Sequence, residues 1–309
     1  MRRAFVDALC RIAAEDERIL LLTGDLGFMA LEPFRDRFPG RFINVGVAEQ
    51  NMVGVATGLA EAGFLPFAYS IATFAALRAF EFIRNGPALH RLPVRVVGMG
   101  MGFEYGHAGP SHHAVEDISV LRSLPGLCSI IPADSAQAGA AIEATAALDR
   151  PIYFSLGKDD RVQIPGLDGR FEIGRLQIVR EGGDVAIVTM GSIAQEAVAA
   201  ADELGRRGVR ARVAVVSSFN PDPVADLAAF MADVPEIISL EAQTASGGLG
   251  ALVAAVIAAN RLDCRLQALA VRTPPDGLSG SQADCWRRFG IDRRAVVDAA
   301  LSALKVGAP

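Results

Sequence analysis

At 309 residues the chain is long enough for two domains of ordinary size, and with 51% hydrophobic residues and a mean hydropathy of +0.31 it can bury large cores. A formal net charge of -5 with no basic cluster argues against nucleic acid as a main partner and against an anionic membrane surface. No uninterrupted run of about 18 apolar residues occurs, so no membrane span is expected, and Cys10, Cys128, Cys264 and Cys285 are too scattered for a CxxC or Cys/His metal set, which predicts reduced thiols in a cytoplasmic protein.

The chain begins MRRAFVDALCRIAAEDER. Its arginines imitate a secretory leader, but Asp7 and Glu15 interrupt what would have to be an uncharged apolar run. Phe5, Leu9 and Ile12 recur at helical spacing and predict an amphipathic helix near 3–15. Short apolar runs then alternate with longer alanine-rich ones. Strands are expected at 19–22, 42–45, 65–69, 94–98, 128–131 and 152–155, and helices near 49–62, 72–89, 115–123 and 135–148. The strands are continuously apolar, which indicates a sheet covered on both faces. Residues 1–160 therefore read as an α/β domain with a mainly parallel sheet.

Residues 161–183 are rich in charge, Gly and Pro and read as a linker. A second α/β unit fills 184–309, with strands in DVAIVTMGS, RARVAVVSS, EIISLEA and QALAVRT and helices over 193–206, 222–232 and 249–260. The expected fold is thus α/β, two domains with mainly parallel sheets flanked by helices.

Two glycine-rich stretches invite ligand readings. VVGMGMGF, 96–103, has the spacing G-x-G-x-G rather than G-x-G-x-x-G, and no helix clearly follows, so a dinucleotide loop is not expected. SGGLG, 246–250, opens a helix and could hold an anion on free N–H groups, although a tight strand-to-helix turn is the commoner meaning.

The chemistry concentrates in two places. GHAGPSHHAVED, 106–117, holds His107, His112 and His113 in a Gly/Pro loop, where binding groups usually sit. Adjacent His112 and His113 point apart on any regular element, and no further ligand completes a zinc set, so no metal is expected on this chain. They read either as ordinary polar loop residues or as groups that hydrogen-bond a polar substrate. RFINVGVAEQNMVGVATGLAEAGF, 41–64, places Glu49 between apolar flanks. A carboxylate there is either a helix-start charge favoured by the helix dipole or a buried functional group.

VGVAEQNMVGVATGLAEAGFLPFAYSIATF followed by GPSHHAVEDISVLRSLPGL resembles the thiamine-diphosphate enzymes of the transketolase family. The stretches are also similar to deoxyxylulose-phosphate synthase and to β subunits of 2-oxo acid dehydrogenases. The resemblance spans a pyrimidine-binding domain, about 1–160, and a transketolase C-terminal domain, about 184–309. It implies that Glu49 hydrogen-bonds N1′ of the cofactor's aminopyrimidine, where a carboxyl in a dry pocket can share a proton with a ring nitrogen. It further implies that Phe74 stacks on that ring, that Phe80 stands where a second aromatic does, and that Asp25 lies near the cofactor. His112 matches the family's substrate-contacting, catalytic histidine. His107 falls where transketolases usually carry glutamate, and His113 follows His112 as a further substrate-binding candidate.

Departures from the family bear on the substrate. Ala108 replaces an aspartate that reads the donor hydroxyl. No histidine stands in VGMGMG, and LGKDD follows the strand YFS where transketolases have an arginine. Arg2 keeps one matching cation and Lys158 could compensate for another, so the acceptor is expected not to be a standard sugar phosphate, or to be held differently.

The family binds diphosphate through a divalent ion held by a Gly-Asp-Gly motif. No such motif occurs here; Asp168–Gly169 and Asp276–Gly277 lack the preceding glycine. The expectation is the C-terminal, β-type half of a split enzyme in an α2β2 assembly. A separate N-terminal subunit would carry Gly-Asp-Gly and the Mg2+ (or a similar ion), and the cofactor would lie between them. The implied reaction moves a two-carbon ketol or acyl unit between small carbonyl substrates. The alternative is the β subunit of a 2-oxo acid dehydrogenase-type component that passes an acyl group to a carrier.

Overall fold

The computed structural model describes residues 1–273 and 277–304, so Asp276 of the Asp276–Gly277 pair lies outside the described residues. The first half runs α1 (Arg2–Glu15), β1 (Ile19–Thr23), α2 (Glu32–Arg37), β2 (Phe42–Asn44), α3 (Glu49–Glu61), β3 (Leu65–Ile71), α4 (Phe80–Ile83), β4 (Arg95–Met99), α5 (Asp117–Arg122), β5 (Cys128–Ile130), α6 (Ser135–Thr145) and β6 (Ile152–Leu156). The second half runs β7 (Leu176–Arg180), β8 (Val185–Thr189), α7 (Ala194–Arg206), β9 (Ala211–Val216), β10 (Ser218–Phe219), α8 (Val224–Met231), β11 (Glu236–Thr244), α9 (Leu249–Asn260), β12 (Arg265–Val271), α10 (Gln282–Arg288) and α11 (Arg293–Ala303).

Two sheets result. The first has the order β10-β5-β6-β4-β3-β1-β2 and the second β12-β11-β8-β9-β7. Every pairing in them is parallel except β10 on β5 and β7 on β9. Strands β1, β4 and β6 bury every residue, as continuous apolar runs under helices on both faces must. Helices α1 and α6 pack together, α3 lies on β3, and α7 packs with α11 beside the second sheet. Arg95 is the one cation inside β4. Its guanidinium donates to the carbonyls of Thr145, Leu148 and Arg150, where α6 ends and its last C=O groups need donors.

Two expectations are corrected, and one pairing between the halves was not foreseen. The stretch 161–183 is not a bare linker, because β7 lies within it and forms the antiparallel edge of the second sheet. The single helix expected over 72–89 is broken into π-helical turns at Phe74–Arg78 and Arg84–Ala88 around α4, the second containing Pro87. Two residues from the second half, β10, complete the edge of the first sheet, so the halves share backbone hydrogen bonds. We propose the division 1–160 and 184–309, with 161–183 as a connection that lends β7 to the second sheet and buries Ile164 and Leu167.

The carboxyl ends of β1, β3 and β4 open together at one edge of the first sheet. The turn after β1, the π-helical turn after β3, the histidine loop after β4 and the start of α3 all converge there. In open parallel sheets this edge is where ligands bind.

Candidate active site

Glu49 is the first residue of α3 and is 1% exposed. Ala48, the N-cap, offers no side-chain cap. The carboxylate is instead turned inward onto two partners. Oε1 accepts from the Ser70 hydroxyl at 2.9 Å, and Oε2 accepts from Arg78 Nη1 at 2.6 Å. Gly24 brings the turn after β1 against the same carboxylate, since a Cβ there would lie 3.7 Å from Oε1. The neighbouring Asp25 has φ +57°, and its backbone N–H donates to Asn44 Oδ1, while Asn44 Nδ2 donates back to Asp25 Oδ1 at 2.9 Å. Asp25 is therefore held near Glu49 by the end of β2.

Phe74 opens the π-helical turn after β3. The Arg78 guanidinium lies 4.5 Å from its ring centroid, and the His112 ring meets it edge-on at 5.1 Å. His112 shares a 3.0 Å hydrogen bond through Nδ1 with Ser111 Oγ and lies 6.4 Å from the Tyr105 ring. Glu49, Arg78, Phe74, His112 and Tyr105 thus form one continuous wall.

Beyond Tyr105 lies an open cavity of about 460 Å³ whose lining includes Arg2, Glu104, Lys158 and Gln282. Lys158 Nζ sits 4.8 Å over the Tyr105 ring. Gly100, φ +88°, is pressed by Tyr105, whose ring fills the room a side chain at residue 100 would need. Burial pushes the Tyr105 hydroxyl up from its ordinary value. Glu104 accepts from the Lys158 backbone N–H and from Ser192 Oγ of the second half. Desolvation raises its carboxyl to about 7, against those hydrogen bonds, which favour the charged form.

The expected residues are not all gathered. Asp25, Phe74 and His112 join Glu49, and Arg2 and Lys158 meet in the adjoining cavity. Phe80 packs against the large apolar core, and His107 is exposed on its loop. His113 is 3% exposed and turns away from His112, edge-on to Phe103, which stacks on Phe289. Arg78, Ser70, Tyr105 and Glu104 were not singled out from sequence. Arg78 alone left a signal, a cation four residues after Phe74, within reach on one helical face.

At the turn 246–250 the helix start is taken up by the protein's own acid. Glu241, 0% exposed, accepts from the N–H groups of Leu249 at 2.7 Å and Gly250 at 2.8 Å, and its carboxylate fills the space a Cβ on Gly248 would take. Among the described residues no three His, Cys, Asp or Glu side chains are grouped to hold a metal ion, and no helix is long and apolar enough to cross a membrane.

Residues 1–161 match the model of the transketolase pyrimidine-binding domain, and 174–296 match that of the transketolase C-terminal domain. A 6-deoxy-6-sulfo-D-fructose transketolase subunit from Clostridium sp. (strain MSTE9) is 37% identical over 84% of this chain and 81% of its own. A putative transketolase C-terminal section from Methanocaldococcus jannaschii is 32% identical over 99% and 96%. A solved split-gene transketolase, an inactive β4 tetramer, superposes with a TM-score of 0.87 at 33% identity, covering 99% of this chain and 98% of its own.

Proposed function

This chain belongs to the transketolase family and is a transketolase-like, β-type subunit; from that premise we propose that, joined to a separate N-terminal subunit, it moves a two-carbon ketol unit between small carbonyl compounds using thiamine diphosphate. The carrying observation is the buried carboxylate of Glu49 beside the aromatic face of Phe74, at the ligand-binding edge of a parallel sheet. The residues fit the cofactor's ring. A flat group bearing N–H donors already lies there, the Arg78 guanidinium, stacked on Phe74 and donating to Glu49. When bound, thiamine diphosphate supplies the electron sink for the transferred unit.

In this reading Glu49 holds a proton at the pyrimidine's N1′, Ser70 fixes the carboxylate's orientation, and Phe74 supplies the stacking face. Asp25 borders the cofactor, and His112 faces the substrate's oxygen atoms. The partner subunit carries the Gly-Asp-Gly motif and the divalent ion, in an α2β2 assembly whose interface completes the pocket. Large, apolar interfaces of this kind are the rule for obligate complexes, and exposed Phe28, Met29, Val47 and Leu89 are available to one. Relatives named as transketolase subunits support ketol transfer over delivery of an acyl group to a carrier.

The substrate's far end would meet Arg2 and Lys158 in the cavity beyond Tyr105. One relative is named for a sulfonated sugar, 6-deoxy-6-sulfo-D-fructose, and another, from Phocaeicola vulgatus and 29% identical, for a phosphorylated one, apulose 4-phosphate. No histidine stands in VGMGMG, and the Tyr105 ring fills the room beside Gly100, which supports an acceptor that is not a standard sugar phosphate or is held differently. The test is turnover by the reconstituted complex. Lys158→Ala and Arg2→Ala should each raise KM for an anionic acceptor by roughly tenfold, the worth of one charge-assisted hydrogen bond. Efficient turnover of pentose phosphates, indifferent to both substitutions, contradicts this assignment.

A further inference from the structure

The Arg78 guanidinium makes two contacts at once. It donates to Glu49 Oε2 at 2.6 Å, and it lies 4.5 Å from the centre of the Phe74 ring. These are the two contacts the proposed function asks of an aminopyrimidine, one to the carboxylate and one to the aromatic face. With Ser70 on Oε1 and Arg78 on Oε2, both oxygens of Glu49 are engaged. The guanidinium thus occupies a face of Phe74 and a lone pair of Glu49 Oε2, the contacts that the proposed function gives to the cofactor ring.

We propose that Arg78 is a stand-in for the cofactor's ring: it neutralises Glu49 and covers Phe74 in the subunit without cofactor, and swings out when thiamine diphosphate enters. The inference rests on the functional reading of Glu49 and Phe74 given above. Its physical cause is the burial of Glu49, 1% exposed, because a carboxylate taken from water and left unpaired is costly. Arg78 can leave because its side chain is 39% exposed and its long stem reaches solvent by rotamer changes. The π-helical turn over Phe74–Arg78 sets the two side chains over one another, and such turns occur frequently at functional sites. A site that is occupied by its own side chain binds a ligand with an affinity reduced by the fraction of molecules in which that side chain has left.

The experiment measures thiamine diphosphate binding by calorimetry in the assembled complex, for wild type, Arg78→Ala, Arg78→Lys and Glu49→Gln. Thermal unfolding of the isolated full-length subunit runs alongside. Arg78→Ala should bind the cofactor several-fold to roughly tenfold more tightly. Arg78→Lys, which keeps the charge without a plane to stack, should fall between it and wild type. In the isolated subunit Arg78→Ala should lower the melting temperature, and adding Glu49→Gln should recover part of the loss. Equal or weaker cofactor binding by Arg78→Ala, with Glu49→Gln also weak, overturns the stand-in and leaves the functional reading intact. Glu49→Gln binding as tightly as wild type overturns that reading and this inference with it.

Discussion

At the scale of single residues, the protein withdraws several acids wholly or partly from water and gives each its own hydrogen-bond donors. Glu49 has Ser70 and Arg78, Glu241 has the amides that open α9, and Glu104 has Ser192 and the Lys158 backbone. Burial raises both Glu104 and Glu241 from the ordinary 4.5 to about 7. Between those values the folded protein holds protons that the unfolded chain has lost. The contribution of both groups is therefore fully present below about pH 4.5 and is lost as pH rises to about 7. Glu241→Gln should flatten the fall of melting temperature over that window, with Glu241's share on the order of 3 kcal/mol; an unchanged slope contradicts the assignment. The sequence made Glu49 legible because apolar residues on both sides announce a buried carboxylate. It could not reveal Ser70, which comes from β3 twenty-one residues away, nor the inward turn of His113. Adjacent histidines must diverge, but which one meets the site depends on where Phe103 packs.

At the scale of elements, the strands with continuous apolar runs were legible to within a residue or two, because a doubly covered strand has no competing pattern. Elements set by neighbours were not. Strand β7 alternates buried and exposed positions poorly amid charge and glycine, and it exists because β9 offers it an edge. Strand β10 is two residues long and is defined wholly by its bonds to β5. The interruption of 72–89 follows from Pro87, which lacks an N–H, and from the π-helical turn that carries Phe74 and Arg78. Helix α6 shows the opposite case, in which local chemistry sets the boundary. Asp134 caps it by accepting from the Gln137 N–H at 2.8 Å, and its other oxygen accepts from Ile164 N–H at 3.0 Å. Asp134→Ala should cost about 1–2 kcal/mol in urea unfolding, and Asp134→Asn less, because the amide oxygen still caps. Equal losses would place the effect in the bond from Ile164 or in charge rather than in the cap.

At the scale of the whole molecule, the two halves are locked by a buried acid. Asp117 at the start of α5 accepts from Tyr153 at 2.7 Å and Ser155 at 2.9 Å in the first half, and from Gln243 Nε2 of β11 at 2.8 Å. Its carboxyl is raised by desolvation, which the three donors oppose. Gln243→Leu leaves Asp117 short of a partner across the halves and should lower stability by on the order of 2 kcal/mol, broadening a single unfolding transition toward two. A sharp, unshifted transition would mean that the β10–β5 pairing suffices as the lock. This clamp ties the start of α5, just after the histidine loop, to β11 of the second half. The two-unit plan was legible from the alternation of strands and helices, and the missing Gly-Asp-Gly pointed to a second chain. The lock was not legible, since Gln243 lies 126 residues from Asp117. The central claim is that Glu49 serves the cofactor in a pocket completed by another polypeptide. It is tested most directly by NMR measurement of hydrogen exchange at C2 of thiamine diphosphate with each subunit alone, with the assembled complex, and with the complex bearing Glu49→Gln. Rapid exchange is predicted in the wild-type complex only, with Glu49→Gln slower by roughly 10²–10⁴-fold; undiminished exchange in Glu49→Gln, or full exchange with this chain alone, would contradict it.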